Sequence, residues 1–226
     1  NLFSDVKAEF SIFDAAFLEE ISKMKEKNIA IELLKKLLAE RVTIYQKTNL
    51  VQAEKFSDLL NRALSNYLKG LLTNEEVIQE LLKLAAEISE SENQGNELGL
   101  TAEEKSFYDA LTKPRAVQDI YTNEQLVAMT KELTDALRKN RTIDWQKKES
   151  ARAGMRRMIK RLLKKYKYPP EEAENALETV IHQCEQWTDT SSDEYPVNES
   201  TQKYNFQQSY YSIAADEIQE EYNKKL

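Results

Sequence analysis

The chain holds few of the residues that end regular secondary structure, with four Gly and four Pro among 226 residues. A β-sandwich or barrel needs Gly-, Pro- or Asn-rich turns every 8–12 residues or so. A parallel α/β domain needs short apolar runs rich in β-branched residues, and no such run stands out. We therefore predict an all-α protein, an irregular bundle of about seven to nine helices with no significant sheet.

Apolar side chains recur every three or four residues along most of the sequence, as on one face of an amphipathic helix. Two such stripes cover 11–27 and 29–47, and others follow to about residue 185. Thr with Glu three residues later, Gly after a stripe and Pro in a first turn mark helix ends. The predicted ends are Gly70, Thr73, Thr101, Thr122 or Asn123, Asp144 (N-cap of a long helix), Tyr166 and Pro170.

One polar stretch, 89–99, is predicted to be a linker or surface loop because it holds two of the four glycines. It divides the chain into a helical region over 1–92 and a second helical domain over 93–187. A variable polar tail follows over 188–226, Ser/Thr/Asp-rich over 188–201, in which 213–222 is predicted to form a short helix.

Most familiar catalytic and metal sites are excluded by composition and motif. One cysteine and one histidine cannot build a disulfide framework or an ordinary structural zinc site. Cys184 and His182 are two residues apart, so a helix places them on different faces; we interpret Cys184 as a small core residue and His182 as partly buried. No phosphate-binding loop, dinucleotide-binding glycine motif or nucleophile elbow occurs. We predict no catalytic residue, metal or cofactor in this chain.

No stretch approaches the roughly 20 apolar residues that span a bilayer, and no signal peptide opens the chain. We therefore predict a cytoplasmic protein with no membrane partner. Because patterned sequence begins directly at Asn1, we expect a piece of a longer protein.

Positive charge is concentrated in one segment, 138–167. It carries thirteen Lys and Arg against two acidic residues, whereas the rest of the chain carries nineteen basic and thirty-seven acidic residues. At about 100° per residue, apolar side chains between 151 and 166 fall on one side of a helix and basic side chains on the other. The basic ones are Arg156, Arg157, Lys160, Arg161, Lys164 and Lys165.

Two interpretations of this basic face stay open. Phosphate of a nucleic acid could neutralise it in a salt-sensitive, sequence-independent way, or the acidic remainder of the chain could do so through ion pairs. Trp145 and Trp187 are predicted to be core anchors rather than platforms for bases.

Two stretches, LGLTAEEKSFYDALT (98–112) and RTIDWQKKESARAGMRRMIKRLLKKYKYPPEEAENALETVIHQCE (141–185), resemble the C-terminal region of the R subunit of type I restriction enzymes. Residues 1–89 look like the helical region that follows the helicase-like motor domains in that family. The resemblance covers about 1–187, and the tail matches no pattern that we can place.

The resemblance implies a fragment of a subunit that translocates DNA with ATP and Mg²⁺ and cleaves it, with the nuclease and ATP motifs upstream. It implies docking of the motor subunit onto the methyltransferase core (modification and specificity subunits), contact with double-stranded DNA, and attachment to its own motor domains. The residues that we assign to nucleic-acid contact are Arg141, Lys147, Lys148, Arg152, Arg156, Arg157, Lys160, Arg161, Lys164 and Lys165. Those that match the motif and hold the structure are Asp144, Trp145, Glu149, Leu162, Tyr166, Tyr168 and Pro169. Arg152 is expected to pair with Glu149 or a buried carboxylate.

Three functions follow: a docking and DNA-contacting domain, a pure protein-docking module without DNA contact, and an enzyme in its own right, which the absent motifs disfavour.

Overall fold

A computed structural model describes Phe13, residues 15–141 and residues 145–192, with side chains to 187. This part of the chain forms nine α-helices and one 3₁₀ turn and contains no strand, which confirms the predicted all-α class. The helices are α1 Ala15–Ser22, α2 Lys27–Thr48, α3 Leu50–Leu68, α4 Asn74–Glu97, α5 Ala102–Thr112, α6 Arg115–Ile120, α7 Asn123–Asn140, α8 Glu149–Lys165 and α9 Pro170–Ser192, with the 3₁₀ turn at Trp145–Lys147. The short helix predicted at 213–222 lies outside the described residues.

Several helix ends lie where the sequence predicts them. The Thr101 backbone N–H donates to Glu104 Oε2 over 2.7 Å, and the Glu104 N–H donates to Thr101 Oγ1 over 3.2 Å, a complete capping box before α5. Thr73 caps α4 in the same way, and Thr122 caps α7 with Gln125 as its partner. Gly70 follows α3 with φ +72°, and Pro170 begins α9.

The loop predicted at 89–99 is wrong, since α4 continues as helix to Glu97. Gly95 lies inside that helix and is buried, and a Cβ placed there would lie 3.4 Å from Lys105 Cγ. This is an ordinary van der Waals distance, so Gly95 is an interior residue of α4 next to α5 rather than a turn residue. Only Gly99, with φ +62°, ends the segment.

The long helix was predicted to begin directly after Asp144, and this is wrong. Asp144 itself lies outside the described residues. The chain first makes the 3₁₀ turn, and α8 begins at Glu149 with Lys148 as an N-cap that makes no side-chain hydrogen bond. Trp145 in this turn is fully buried, so the turn places the indole in the core before the helix starts. The short helix α6 was also not predicted.

The chain forms two compact units. In the first, described over Phe13, 15–42 and 56–92, the largest buried side chains include Leu33, Leu34, Phe56, Leu81 and Ile88. The second comprises 43–55 and the described residues from 93 onward, with α5, α7, α8 and α9 around one apolar core. Trp145 and Cys184 lie in this core, as predicted. The candidate site lies on the second unit.

A buried polar cluster fixes the second unit internally. Asp109 on α5 accepts from Lys105 Nζ over 2.5 Å through Oδ1, while its Oδ2 accepts from Asn49 Nδ2 over 2.7 Å and Gln52 Nε2 over 2.9 Å. Lys105, Asp109 and Asn49 are all buried. The carboxylate therefore ties residues 43–55 to α5.

A side chain of α9 forms hydrogen bonds with the backbone groups at the break between α2 and α3. A helix end leaves backbone N–H and C=O groups without intrahelical partners. The fully buried Gln183 accepts from the Leu50 N–H over 2.8 Å and donates from Nε2 to the Thr48 carbonyl over 3.1 Å. The break is thus held by hydrogen bonds from a distant helix.

Lys167 adopts a left-handed conformation, φ +58°, directly after α8. The Tyr168 N–H donates to the Leu163 carbonyl over 2.9 Å and the Lys167 N–H donates to the Lys164 carbonyl over 3.1 Å, a Schellman motif that usually places Gly here. A side chain in this region costs about 1–2 kcal/mol.

Replacing Lys167 with glycine is expected to raise the free energy of unfolding by about 0.5–1 kcal/mol, since relief of this strain exceeds the added entropy of the unfolded chain. Urea denaturation followed by circular dichroism measures the change. Lys131→Gly, at an exposed position inside α7, should instead lower stability by about 1 kcal/mol. Equal losses in both variants would contradict the argument.

Candidate nucleic-acid interface

Helix α8 is amphipathic as predicted. Its apolar residues Met155, Ile159, Leu162 and Leu163 are buried, whereas most of its basic residues are exposed. The helix packs against α7, α9 and the 3₁₀ turn. Helices α7 and α9 lie on the two sides of the buried face of α8. Each basic residue of α8 therefore either faces one of these two helices or points away from both.

On the α9 flank, three basic residues at successive turns of α8 meet three glutamates. Arg152 Nη2 lies 2.9 Å from Glu185 Oε1, and Lys160 Nζ lies 3.0 Å from Glu174 Oε2. Between them, Arg156 donates to Glu178 through both terminal guanidinium nitrogens, with Nη2 to Oε2 at 2.8 Å. We call these three pairs the α8–α9 ladder; Arg152 finds its partner on α9 rather than at Glu149.

On the α7 flank, Lys165 Nζ lies 2.6 Å from Glu132 Oε1. Glu132 Oε2 also accepts from the Tyr166 hydroxyl over 2.7 Å. This carboxylate therefore neutralises Lys165, the last basic residue of the face.

Three basic residues lie between the two flanks and point to solvent: Arg157, Arg161 and Lys164, which we call the basic stripe. Arg157 Nε donates to the Ala153 carbonyl over 3.3 Å. In the described part of the chain, no carboxylate lies within ion-pair distance of any of the three. Half of the six-residue face assigned from sequence is thus paired within the chain, and half is exposed without an acidic partner.

The other basic residues assigned to the interface precede or open α8. Arg141 lies 3.9 Å from Glu103 Oε1, a carboxylate that also binds Arg138 over 2.6 Å. Lys147 and Lys148 are exposed at the end of the 3₁₀ turn. They extend the positive region toward the N-terminal end of α8.

Several of the residues that were predicted to hold the structure can be located in the described part of the chain. Tyr168 is buried and donates from its hydroxyl to the Leu111 carbonyl over 2.7 Å; Pro169 is also buried. The Tyr166 carbonyl accepts from the Tyr121 hydroxyl over 3.0 Å. Glu149 is exposed in the first turn of α8, where negative charge is favourable.

Hydrogen bonds within the flanking pairs favour the ionised forms of Glu178, Arg156 and Glu132. A hydrogen bond from Arg156 lowers the pKa of Glu178, and the same contact raises the pKa of Arg156. Hydrogen bonds from Lys165 and Tyr166 lower the pKa of Glu132. By contrast, burial raises the pKa of Cys184 to about 11, so its thiol stays protonated and is a poor nucleophile.

Neither a metal cluster nor a membrane-spanning helix is found among the described residues. His182 is exposed, so its predicted partial burial is wrong. Ion pairs with the acidic remainder of the chain, one of the two open interpretations, form at half of the basic face. Which glutamates form them was not predicted, although Glu174 and Glu178 repeat on α9 with the same four-residue spacing as Arg156 and Lys160 on α8.

Comparisons with known proteins agree on one family. Residues 1–190 match the profile described as type I restriction enzyme HindI endonuclease subunit-like, C-terminal. The chain is 36% identical over 186 residues to the type I restriction enzyme HindI endonuclease subunit of Haemophilus influenzae, covering 82% of this chain and 18% of that protein. It is 31% identical over 160 residues to a putative type I restriction enzyme MjaIXP endonuclease subunit of Methanocaldococcus jannaschii, covering 70% and 15%. The chain therefore spans less than a fifth of the curated relatives it matches. No solved structure matches it.

Proposed function

Because the chain belongs to the family of C-terminal domains of type I restriction enzyme HindI-like endonuclease subunits, we propose that it docks this subunit onto the methyltransferase core and contacts DNA phosphate without sequence preference. The ATP- and Mg²⁺-dependent translocation and cleavage proposed for the whole subunit are assigned to parts outside this chain. The relatives are named endonuclease subunits, and this chain aligns with a small share of each.

The basic stripe carries the proposal of DNA contact. Arg157, Arg161 and Lys164 lie along about 10 Å of α8, at 1.5 Å per residue. This length corresponds to about three phosphates of one DNA strand, which follow at 3.4 Å along the axis. The chain as a whole has a net charge of −7, so its exposed acidic groups outside the stripe repel DNA. Binding is therefore expected to be local, weak and independent of base sequence.

The DNA contact is tested with fluorescently labelled duplex. If about three phosphates are neutralised, the logarithm of affinity should fall with the logarithm of salt with a slope of about −2.7, a loss of about fortyfold between 50 and 200 mM salt. Reversing Arg157, Arg161 and Lys164 to glutamate should weaken binding at 50 mM by more than about tenfold, since three of the phosphate contacts are lost.

The matched control reverses three exposed lysines of the first unit, Lys25, Lys36 and Lys83. It changes net charge by the same amount and should bind DNA much better than the stripe variant. Affinity that ignores salt, or equal losses in both variants, would rule out contact through the stripe.

A pure protein-docking module is the second candidate, and exposed apolar residues favour protein contact. Leu68 and Leu71, near the turn between α3 and α4, are 83% and 68% exposed, an unusual position for two leucines so close together. The same stripe and control variants, mixed with the modification and specificity subunits after nuclease treatment, separate the two functions. Partner recovery lost only in the stripe variant, without DNA binding by the unchanged chain, would assign the stripe to protein docking.

A further inference from the structure

Exposed carboxylates border the basic stripe on both sides. We infer that Glu174 and Glu178 of α9 compete with DNA phosphate for Lys160 and Arg156 and so keep these two cations out of the DNA contact made by the basic stripe. This inference rests on the proposed DNA contact and adds the residues that set its strength.

Two of the three ladder pairs are exposed enough for a phosphate to reach them. The Lys160 and Glu174 side chains are 57% and 64% exposed, and those of Arg156 and Glu178 are 35% and 39% exposed. Ion pairs at such positions stabilise a fold by little, about 0–1 kcal/mol. A phosphate that approaches Lys160 or Arg156 therefore meets a cation already bound to a carboxylate, in a pair that solvent and salt can reach.

These two pairs lie next to the basic stripe, so a DNA strand that contacts the stripe also reaches them. Lys160 and Arg156 each adjoin a stripe residue in sequence, Arg161 and Arg157, and lie on the same helix. A DNA strand that contacts the stripe also comes near the two glutamates, whose negative charges repel it. Removing these charges should add two cations to the interface and remove two repulsive groups at the same time.

The test neutralises the two glutamates without changing their shape. Glu174→Gln with Glu178→Gln should extend the contact from about three phosphates to about five, which steepens the salt slope from about −2.7 to about −4.5. A rise from 50 to 200 mM salt should then reduce affinity by about twelvefold more than in the unchanged chain. At 50 mM salt we expect binding to be tighter by more than about twelvefold, so that the double variant still binds more tightly than the unchanged chain at 200 mM. Circular dichroism establishes that the double variant is folded.

Glu80→Gln with Glu90→Gln is the matched control, because both residues are exposed on α4 and the net charge changes equally. The control should leave the slope near that of the unchanged chain. Adding Arg156→Ala and Lys160→Ala to the double variant should return the slope to about −2.7, which assigns the gain to these two cations.

The two proposals fail in different ways. If neither the unchanged chain nor the double variant binds duplex, the proposed DNA contact is wrong. If the unchanged chain binds through the stripe but the double variant keeps the same slope and affinity, the DNA contact stands and the competition by Glu174 and Glu178 is overturned.

Discussion

Replacing Asp109 with alanine is expected to lower the free energy of unfolding by about 3–5 kcal/mol, the cost of leaving one partner of a buried ion pair alone. The substitution leaves Lys105 buried without its counter-ion, 2.5 Å from where the carboxylate was. It also removes the acceptor for the side-chain amides of Asn49 and Gln52. Urea denaturation monitored by circular dichroism measures the loss.

Asp135→Ala is the matched control, because Asp135 is exposed on α7; its stability should change by less than about 0.5 kcal/mol. Changing both partners, Lys105→Met with Asp109→Leu, should recover much of the loss, since an apolar pair of similar volume carries no unpaired charge. An Asp109 variant as stable as the Asp135 control would show that the cluster contributes nothing to the fold.

Replacing Trp145 with alanine should cost about 3–5 kcal/mol as well, because the side chain is fully buried in the core of the second unit. The cavity would open beside the start of α8, whose N-cap makes no side-chain hydrogen bond. We therefore expect the N-terminal turns of α8 to show faster amide hydrogen exchange in the variant than the helix interior does.

Trp187→Phe provides the comparison for Trp145. Trp187 is only partly buried, and its Nε1 donates to Ser106 Oγ over 3.0 Å. Loss of one such hydrogen bond costs about 0.5–1.5 kcal/mol. A Trp145 variant that loses no more stability than the Trp187 variant would contradict its role as the anchor of the second unit.

Local patterns predicted much of the fold correctly because helix ends depend on neighbours in sequence. The capping boxes at Thr101 and Thr122 need only a partner three residues away. The amphipathic character of α8 follows from its own sequence, and burial of Trp145 and Cys184 follows from their apolar surface. In each case the information lies within one or two helical turns.

Long-range contacts decided what the sequence could not predict. Gly95 is a turn residue by composition, yet it lies buried inside α4 next to Lys105 of α5. Which cations of α8 are paired depends on where α7 and α9 lie, so Arg156 and Arg157, adjacent in sequence, have different surroundings. The bond between Asn49 and Asp109 joins residues 60 positions apart, which no periodicity reveals.

The hydrogen bonds that hold the break between α2 and α3 have a consequence for synthesis on the ribosome. Gln183 follows Thr48 by 135 residues, which takes about 7–27 s to translate at the usual 5–20 residues per second. During that interval the Thr48 carbonyl and Leu50 amide have only water or transient partners. The two backbone groups at this break therefore gain their side-chain partner only after most of this sequence has been made, although α2 and α3 are among the first parts of it to emerge.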